Sequence, residues 1–417
     1  MNKWLNRAII VFQYGYETRV APFFATYLWF LWWPAYALLK KHHYCFVINI
    51  AEGTGQVLPE LDNFLLALQL KEVDPLKKYI WLRTRNDFSQ ALVPLYKKYF
   101  AYAKMSNIVY DLCLPIMLRW RNITHDAGMA GLHWQLPESG VFSPSKPWHT
   151  YLYMMPKTEP FLRWREYYRR RLDSGEYAPL TQADIRADKQ LIDFLAGDMD
   201  KIVLLHIKTN IMNATALPTD PETYVPAIRY LQEKGYRLIF VGRESMPEQF
   251  RELRVMNYAQ SPLASFLHDL QLFTIAEFSI TGGSGIAWIA DCLRKPVLYL
   301  NSWHLYMPPA GRKCVFIPAL VKNMETGNSL RFPEQYALYL DTPTEYGDKF
   351  PFKMYEPMNV KADDIVHAVK ELEQVITTTV PFSELQARFQ VLEPESWMKF
   401  AQSRISDAFI QKHRNLL

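Results

Sequence analysis

A glycine-rich junction in the second half of the chain has the residue types of an anion-binding site. The apolar segment 278–281 (FSIT) is typical of a buried strand, and Gly282, Gly283, Ser284 and Gly285 follow it before a predicted helix. Backbone N–H groups at such a junction point toward a bound phosphate, glycine allows its close approach, and serine adds a hydroxyl donor. A tight turn that needs glycine for its geometry alone is the alternative interpretation.

Basic residues follow two other predicted strands of the same half. His206 and Lys208 lie at the end of strand 202–207, and Arg243 follows strand 237–241. The carboxyl ends of parallel strands share one edge of the sheet, where open α/β sheets bind their ligands. We therefore expect these residues to converge with the glycine-rich loop. Lysine and arginine at that edge suit a diphosphate, although simple surface charge explains them equally well.

The order of several motifs adds a family resemblance. In the second half these motifs are YVPAIRYL, KGYRLIFVG, NYAQS, SITGGSGIAWIA and KPVLYLN, followed by IPALV (317–321), SLRFPE (329–334) and DDIVHAVKELEQ (363–374). The first half contributes mainly G-x-G-x-x-x-P-E-L-D-N-F over 53–64. Together they resemble a bacterial family of GT-B glycosyltransferases associated with surface-glycan (polysaccharide) synthesis. The resemblance implies transfer of a sugar from a nucleotide-diphosphate sugar donor.

The resemblance also implies which residues contact the donor. They are Lys208, Arg243, Tyr258, Ser261, Gly282, Gly283, Ser284, Gly285 and Asn301. The phosphates would rest on the glycine-rich loop with Lys208 or Arg243, the nucleobase would lie near Tyr258 and Ser261, and Asn301 would reach the sugar. In one respect the sequence departs from the family, where a basic residue commonly precedes the glycine that here follows Val241. Arg243 would replace that residue.

Transfer to an acceptor hydroxyl with inversion needs a carboxylate or histidine that takes the proton. The first half offers Glu60, Asp62 and His125, with Glu52, Asp126 and His133 as further candidates. Glu60 and Asp62 are two residues apart on a predicted helix, so they cannot face the same way, and one should be a cap or solvated. Glu60 ranks first because it follows the first strand–helix loop. For each candidate, an ordinary structural role is the alternative.

No metal ion is expected. Asp198 and Asp200 form a D-x-D that superficially resembles the metal–nucleotide motif of GT-A enzymes. They precede the predicted strand 202–207, which places them at the amino edge of the sheet, away from the expected ligand. The sequence therefore predicts no metal ligands and no cofactor apart from the donor substrate.

Alternating apolar strands and helices predict an α/β protein with parallel sheets, and the resemblance implies that it is of the GT-B type. Such a protein has two doubly wound, Rossmann-like domains with an interdomain cleft. The expected divisions are an N-terminal membrane-associating segment (1–43), an acceptor-side domain (44–178), a nucleotide-sugar-binding domain (179–390) and a C-terminal amphipathic helix (391–417) that crosses back to the first domain. A length of 417 residues and a hydrophobic content of 49% suffice for two full cores.

The uncharged segment 21–39 predicts attachment to a membrane surface. It is rich in aromatic residues along its whole length, basic residues flank it, and Pro34 should interrupt any continuous helix. A true span or a buried core helix are the alternatives. Four scattered cysteines, Cys45, Cys113, Cys292 and Cys314, indicate a reducing compartment. The expected location is the cytoplasmic face of the inner membrane, with peripheral or monotopic attachment.

The composition also limits the partners. A net charge of +5 without long basic blocks argues against nucleic acid. The expected partners are a nucleotide-sugar donor, a glycan or lipid-linked glycan acceptor, and the membrane surface. The alternatives are a nucleotide-sugar epimerase or pyruvyl transferase of GT-B shape, and an inactive membrane-bound scaffold that binds glycans.

Overall fold

The protein folds into two compact units. The first comprises Met1–Glu52 and Asn63–Arg163, and the second comprises Gly53–Asp62 and Trp164–Leu417. A computed structural model describes residues 29–48, 54–83, 87–104, 124–126, 132–133, 153–154, 158–175, 177–181, 184–196, 199–209, 218–303, 305, 308–341, 353–392 and 397–417. The predicted strand over 107–112 lies outside the described residues.

The first unit contains a four-stranded parallel sheet. Its strands are β1 (Tyr44–Ile48), β2 (Lys78–Arg83), β3 (Ala101–Lys104) and β4 (Thr124–Asp126). The order across the sheet is β3-β2-β1-β4, so the chain builds outward from β1 and then adds β4 on its other side. That order is typical of doubly wound folds. Two short strands, β5 (Leu132–His133) and β6 (Tyr153–Met154), form a separate antiparallel pair.

Of the four helices that the structure describes before residue 180, three run through a proline. The four helices are α1 (Trp29–Lys41), α2 (Thr54–Gln69), α3 (Asp87–Tyr96) and α4 (Thr158–Asp173). Pro34, Pro59 and Pro94 lie inside α1, α2 and α3. The prediction that Pro34 interrupts the helix is therefore wrong. Proline removes one N–H from the hydrogen-bond ladder, and α1 continues on both sides of that gap.

The described part of α1 has large apolar side chains that are exposed to solvent. Trp33 is 54% exposed and Leu38 is 58% exposed. Across the described parts of the chain, no helix has both the length and the apolar character needed to cross a bilayer. The beginning of the predicted membrane segment, residues 21–28, lies outside the described residues.

The second unit contains a seven-stranded parallel sheet. Its strands are β7 (Ile202–His206), β8 (Arg237–Phe240), β9 (Met256–Asn257), β10 (Phe278–Gly282), β11 (Val297–Ser302), β12 (Cys314–Pro318) and β15 (Arg404–Ile405). The order across the sheet is β9-β8-β7-β10-β11-β12-β15. Every residue of β7, β10, β11 and β12 is buried, which explains why their sequences are almost uninterrupted apolar runs. The two parallel sheets confirm the predicted α/β class.

Short helices and one hairpin complete the second unit. The helices are α5 (Lys189–Phe194), α6 (Val225–Glu233), α7 (Glu248–Glu252), α8 (Phe266–Ile275), α9 (Ala287–Cys292), α10 (Phe332–Asp341), α11 (Ala362–Thr377), α12 (Glu384–Gln390) and α13 (Asp407–Lys412). Strands β13 (Leu320–Asn323) and β14 (Tyr355–Met358) form an antiparallel pair. Ser265 and Ser383 cap the first turns of α8 and α12 through their side chains.

The C-terminal segment is not the single amphipathic helix that its apolar spacing predicts. It consists of a 3-10 turn (Trp397–Phe400), strand β15, helix α13 and a last 3-10 turn (Arg414–Leu416). Val315 and Phe316 pair with Arg404 and Ile405, so β15 extends the edge of the sheet at β12. Pairing with an open sheet edge overrides the helical periodicity of this segment.

Two parts of the predicted first domain cluster with the second unit. These are Gly53–Asp62, the beginning of α2, and the residues of α4 from Trp164 onward. Their side chains explain the assignment, because Asp62 and Arg171 form ion pairs with residues of α9 and its C-terminal turn. Neither contact follows from the local sequence pattern.

Candidate functional site

The strand order of the second unit creates a crevice at the carboxyl ends of β7 and β10. After β7 the chain forms β8 and β9 on one side, and then returns to place β10 directly beside β7 on the other. In doubly wound sheets the connections diverge at such a switch point, and ligands bind there. His206 is the last residue of β7 and pairs in register with Thr281, which directly precedes the glycine-rich loop. The strand register therefore places His206 beside the residue that leads into the glycine-rich loop, as predicted.

His206 is held in place by a hydrogen bond to Glu244. Its Nε2 lies 3.1 Å from Glu244 Oε2, and the backbone N–H of Arg243 donates to the same oxygen at 3.1 Å. Burial raises the pKa of Glu244, but the hydrogen bond and charge of His206 outweigh burial and hold this pKa at about 2. Glu244 is therefore ionised at neutral pH and only accepts, so His206 Nε2 carries the proton.

Gly242 makes this pairing possible. Its φ is +109°, in the left-handed region, and a Cβ atom there would lie 2.5 Å from Cδ2 of His206 and 2.9 Å from Oε2 of Glu244. Any other residue would push both side chains away. The sequence analysis noted Gly242 only as the start of a loop, and it missed Glu244 altogether. An acidic residue shortly after the second strand of a Rossmann order is the signal that could have found it.

The glycine-rich loop occupies the other side of the crevice. Gly283, Ser284 and Gly285 are partly exposed, while Gly282 is buried at the end of β10. The carbonyl groups of Ser284 and Gly285 accept from Ala287 and Trp288, so the loop leads straight into α9.

A tight turn does not account for the glycines of this loop. The described glycines with a left-handed φ are Gly175, Gly235, Gly242 and Gly327, and none belongs to the loop. The backbone geometry at positions 282–285 is therefore open to other residues, which favours a functional reason for glycine there.

Three polar atoms around the crevice are buried without a hydrogen-bond partner among the described residues. They are Nδ1 of His206, Oγ1 of Thr281 and Oγ of Ser261. Buried polar groups almost always have partners, and an orphaned one calls for a ligand, an ion or a water molecule. All three belong to residues at the carboxyl edge of this sheet, where a polar ligand or a water molecule would satisfy them.

Lys208 and Arg243 lie at the same edge. Lys208 follows β7 by two residues, and its carbonyl oxygen accepts from the N–H of Thr219 at 2.7 Å. Arg243 is exposed. Burial raises the pKa of Asp269 to about 7, while a hydrogen bond from Tyr258 and the charge of Arg243 act in the opposite direction. The positive charge of Arg243 therefore interacts with the carboxyl group of Asp269.

The backbone groups of Tyr258, near which the nucleobase is expected, are already paired. Its N–H donates to Phe240 O at 3.2 Å, and its carbonyl oxygen accepts from Ser261 N at 2.9 Å. Its ring is fully buried, and its hydroxyl contacts the backbone of Leu263 and Ser265. Tyr258 therefore supports this end of the site from the interior of the unit. The hydroxyl of Ser261, which lacks a partner among the described residues, is the group available for a ligand.

Asn301 is also committed elsewhere. It is 2% exposed and has a φ of +58° at the end of β11. Its Oδ1 accepts from the N–H of Val360 at 2.8 Å, and its Nδ2 donates to the hydroxyl of Tyr224 at 3.4 Å. Both ends of the amide are thus satisfied inside the unit, which argues against the predicted contact with the sugar.

Glu60 and Asp62 are both buried, at 1% and 2% exposure. The expectation that one of them is a solvated side chain or a cap is wrong. Residues Val57 to Asp62 of α2 are all buried, so the opposite faces of this helix both lack contact with water. Two residues on different faces of a helix differ in exposure only when one of those faces is in contact with the solvent.

Asp62 belongs to a buried network of charges. Arg294 contacts it with both terminal nitrogens, at 3.1 and 3.2 Å, and the hydroxyl of Tyr167 donates to it at 2.9 Å. Arg171 lies 3.8 Å from Asp62 and 3.3 Å from Asp291. Burial raises the pKa of Asp62 to about 7, with Arg171 and the Tyr167 hydrogen bond acting against it. The network contains two carboxyl and two guanidinium groups, so its charges balance when both carboxyl groups are ionised.

The network changes the interpretation of two predicted features. Arg171 belongs to the basic stretch RWREYYRRR (163–171), whose composition alone favours a solvated face, but its side chain is only 7% exposed. Asp62, a candidate base, has its carboxylate engaged by Arg294 and Tyr167 and holds the structure together. Of the pair on α2, Glu60 remains the candidate for the base.

His125 is the middle residue of β4, and Val47 of β1 is its partner in register. β1 and β4 flank the switch point of the first sheet. Asp200 precedes β7 at the amino edge of its sheet, as predicted, and Asp198 lies outside the described residues. Within the described ranges, no group of three or more His, Cys, Asp or Glu side chains could hold a metal ion.

No protein-family model and no curated protein matches this chain. Several solved structures are similar at low identity. TibC, an iron-containing dodecameric glycosyltransferase of enterotoxigenic E. coli, is 16% identical with a TM-score of 0.37. The match covers 63% of this chain and only 59% of TibC.

Two other E. coli structures match over more of their own length. The heptosyltransferase WaaC with ADP is 15% identical with a TM-score of 0.36, over 66% of this chain and 90% of WaaC. The ADP-heptose lps heptosyltransferase II is 11% identical with a TM-score of 0.40, over 79% of this chain and 98% of that one. Because these scores are low, the function below is argued from the residues of this chain.

Proposed function

We propose that this protein is a GT-B glycosyltransferase that moves a sugar from a nucleotide-diphosphate sugar to a glycan or lipid-linked glycan acceptor. The observation that carries the proposal is the switch point between β7 and β10, where the glycine-rich loop faces the His206–Glu244 pair. The orphaned polar atoms at this edge support it, since a polar ligand would satisfy them. Lys208 and Arg243 supply positive charge for a diphosphate.

The chemistry follows from the groups available. The acceptor hydroxyl oxygen forms a bond to the anomeric carbon, and the bond from that carbon to the diphosphate oxygen breaks. The bonding electrons leave with the diphosphate, and its growing charge is stabilised by backbone N–H groups of 283–285 and by Lys208 or Arg243. The hydroxyl proton passes to a base, for which Glu60 and His125 remain the candidates.

Incubation of the purified protein with nucleotide-diphosphate sugars and membrane-extracted acceptors tests this function. We expect release of a nucleoside diphosphate together with incorporation of sugar into the acceptor. EDTA should leave the rate largely unchanged, because cations of the protein neutralise the leaving group. Binding of donors without turnover would instead support a scaffold, and loss of transfer with EDTA that Mn²⁺ restores would contradict the metal-independent mechanism.

We further propose that residues 21–39 attach the protein to the cytoplasmic face of a membrane. The exposed Trp33 and Leu38 of α1 support this, because large apolar side chains at a headgroup boundary exchange water for lipid. Lys40 and Lys41, both exposed, follow in the last turn of the same helix and suit anionic headgroups.

Replacement of Trp29, Trp32 and Trp33 by serine should release the protein from the membrane fraction. Nucleoside diphosphate binding should stay intact, since the second unit carries the proposed donor site. The Leu76→Ser variant is the control, because Leu76 is 80% exposed but lies outside the segment. A triple variant that stays in the membrane fraction, or that no longer folds, would contradict attachment through this surface.

A further inference from the structure

A backbone hydrogen bond joins residues 208 and 219 in the chain that follows β7. The strand ends at His206, and Lys208 follows by two residues, the spacing at which side chains of an extended chain face the same side. The carbonyl oxygen of Lys208 accepts from the N–H of Thr219 at 2.7 Å. Lysine carries its charge on a flexible four-carbon stem, so the position of its backbone decides which volume the ammonium group can reach. The contact with Thr219 therefore helps to place the charge of Lys208.

Asn359 holds the segment around Thr219 from the opposite side. Its Oδ1 accepts from the N–H of Asp220 at 3.1 Å, and its Nδ2 donates to the carbonyl oxygen of Pro218 at 3.2 Å. The backbone at Asp220 is extended. In an extended segment the N–H of one residue points away from the carbonyl group before it and from the N–H after it. Thr219 can thus contact Lys208 on one side, while the amide of Asn359 takes the place of a neighbouring strand on the other.

The position of Asn359 is itself fixed through the next residue. Val360 is buried, and its N–H donates to Oδ1 of Asn301 at 2.8 Å. Asn301 lies where the register between β11 and β12 shifts, and its φ of +58° is in the left-handed region that asparagine adopts more readily than most residues. Its Nδ2 donates to the hydroxyl of Tyr224, which ends the 3-10 turn before α6. Two asparagine amides thus connect the chain after β7 to the carboxyl end of β11.

The exposure of Asn359 favours a role in the site over a role in stability. Asn359 is exposed, whereas Thr219 and Val360 are buried. Because water competes for both hydrogen bonds of an exposed amide, the bridge adds little to the free energy of unfolding. Its main effect is to limit the conformations of the segment that contacts Lys208. A substitution of Asn359 can therefore alter the site without unfolding the second unit.

We infer that Asn359 is a positioning residue, which acts through Thr219 to hold Lys208 at the diphosphate of the donor. The inference rests on the proposed function, since it assumes a nucleotide-diphosphate sugar at the carboxyl ends of β7 and β10. It gives the connection between β14 and α11 a part in donor binding. It also gives the amide of Asn301 a role inside the unit, in place of the expected contact with the sugar.

Isothermal titration with ADP, GDP, CDP and UDP, continued with the nucleotide that binds most tightly, tests the inference. Lys208→Ala should weaken binding roughly 10- to 100-fold, because it removes a hydrogen bond between charged groups. Asn359→Ala should weaken binding by a smaller factor, roughly 3- to 10-fold, because the lysine remains but its backbone is held less firmly. The unfolding temperature of Asn359→Ala should stay close to that of the wild type.

A double variant separates positioning from a general effect on the fold. In a protein that already carries Lys208→Ala, the further change Asn359→Ala should leave the affinity the same within about twofold, because no ammonium group remains to be placed. A purely structural role of Asn359 would produce the same loss with and without the lysine. Asn328→Ala is the matched control and should bind like the wild type, because Asn328 is also an exposed asparagine but lies between β13 and α10.

The outcomes separate this inference from the function on which it rests. A folded Asn359→Ala variant with wild-type affinity would overturn the role of Asn359 and leave the donor site standing. Equal losses with and without the lysine would do the same, as would a Lys208→Ala variant that binds as tightly as the wild type. A wild type that binds none of the four nucleoside diphosphates would overturn both the inference and the proposed function.

Discussion

A variant with Ser284→Leu and Gly285→Val should lose at least roughly 100-fold in affinity for nucleoside diphosphates while remaining folded. The phosphate requires close approach to the backbone of this loop, and branched side chains occupy that space. Ser284 and Gly285 are partly exposed, so the substitutions bury no new bulk in the core. Isothermal titration measures the affinity, and the unfolding temperature checks the fold.

Gly327→Ala provides the matched control for the loop variant. Gly327 has a left-handed φ of +72° and nothing within 4 Å of its Cβ position, so alanine there strains the backbone without touching the crevice. It should lower stability slightly and leave nucleotide affinity unchanged. Wild-type affinity in the folded loop variant would remove the glycine-rich loop from the donor site.

The Asp62→Leu substitution should destabilise the protein by about 3–5 kcal/mol, because it leaves a buried guanidinium charge without compensation. Arg294 is 10% exposed and Arg171 is 7% exposed, so neither can turn to water without moving the helices that carry them. Denaturant unfolding followed by circular dichroism measures the change. The exposed pair Lys322–Glu356, at 3.5 Å, is the control, and Glu356→Ala should cost less than about 1 kcal/mol.

A double variant separates the charge effect from simple loss of packing. Asp62→Leu combined with Arg294→Met removes one charge of each sign and leaves Asp291 paired with Arg171. It should be more stable than Asp62→Leu alone by at least about 1 kcal/mol, the scale expected for directly coupled residues. A double variant that is less stable than the single one would show that the network does not depend on charge balance. Normal stability of Asp62→Leu would return Asp62 to the candidates for the catalytic base.

The architecture of the second unit could be predicted because its central strands are buried on both faces. Their sequences are therefore apolar runs that end in glycine or a polar residue, as at 202–206 and 278–282. The position of the glycine-rich loop follows from the same pattern. The boundaries of strands could not be predicted where tertiary pairing decides them. The motif IPALV (317–321), for example, falls on both β12 and β13.

The charge network and the His206–Glu244 pair could not be predicted in the same way. Tyr167 and Asp62 are separated by 105 residues, and Tyr167 and Asp291 by 124. Local periodicity carries no information about such contacts, and the basic neighbours of Arg171 favour a solvated face although its side chain is buried. The roles of the two carboxylates of α2 could not be predicted for a related reason. A helix that is buried on all sides has no solvent-exposed face, so its periodicity does not indicate which carboxylate is structural.

Hydrogen exchange with and without nucleoside diphosphates tests the central claim most directly, because it locates the ligand on the unaltered protein. With at least one of ADP, GDP, CDP and UDP, we expect slower exchange of the backbone amides at 242–245 and 282–286, the two loops that flank the crevice of the second unit. Protection confined to the first unit, or no protection at millimolar concentrations of any of the four, would contradict a donor site at the carboxyl ends of β7 and β10.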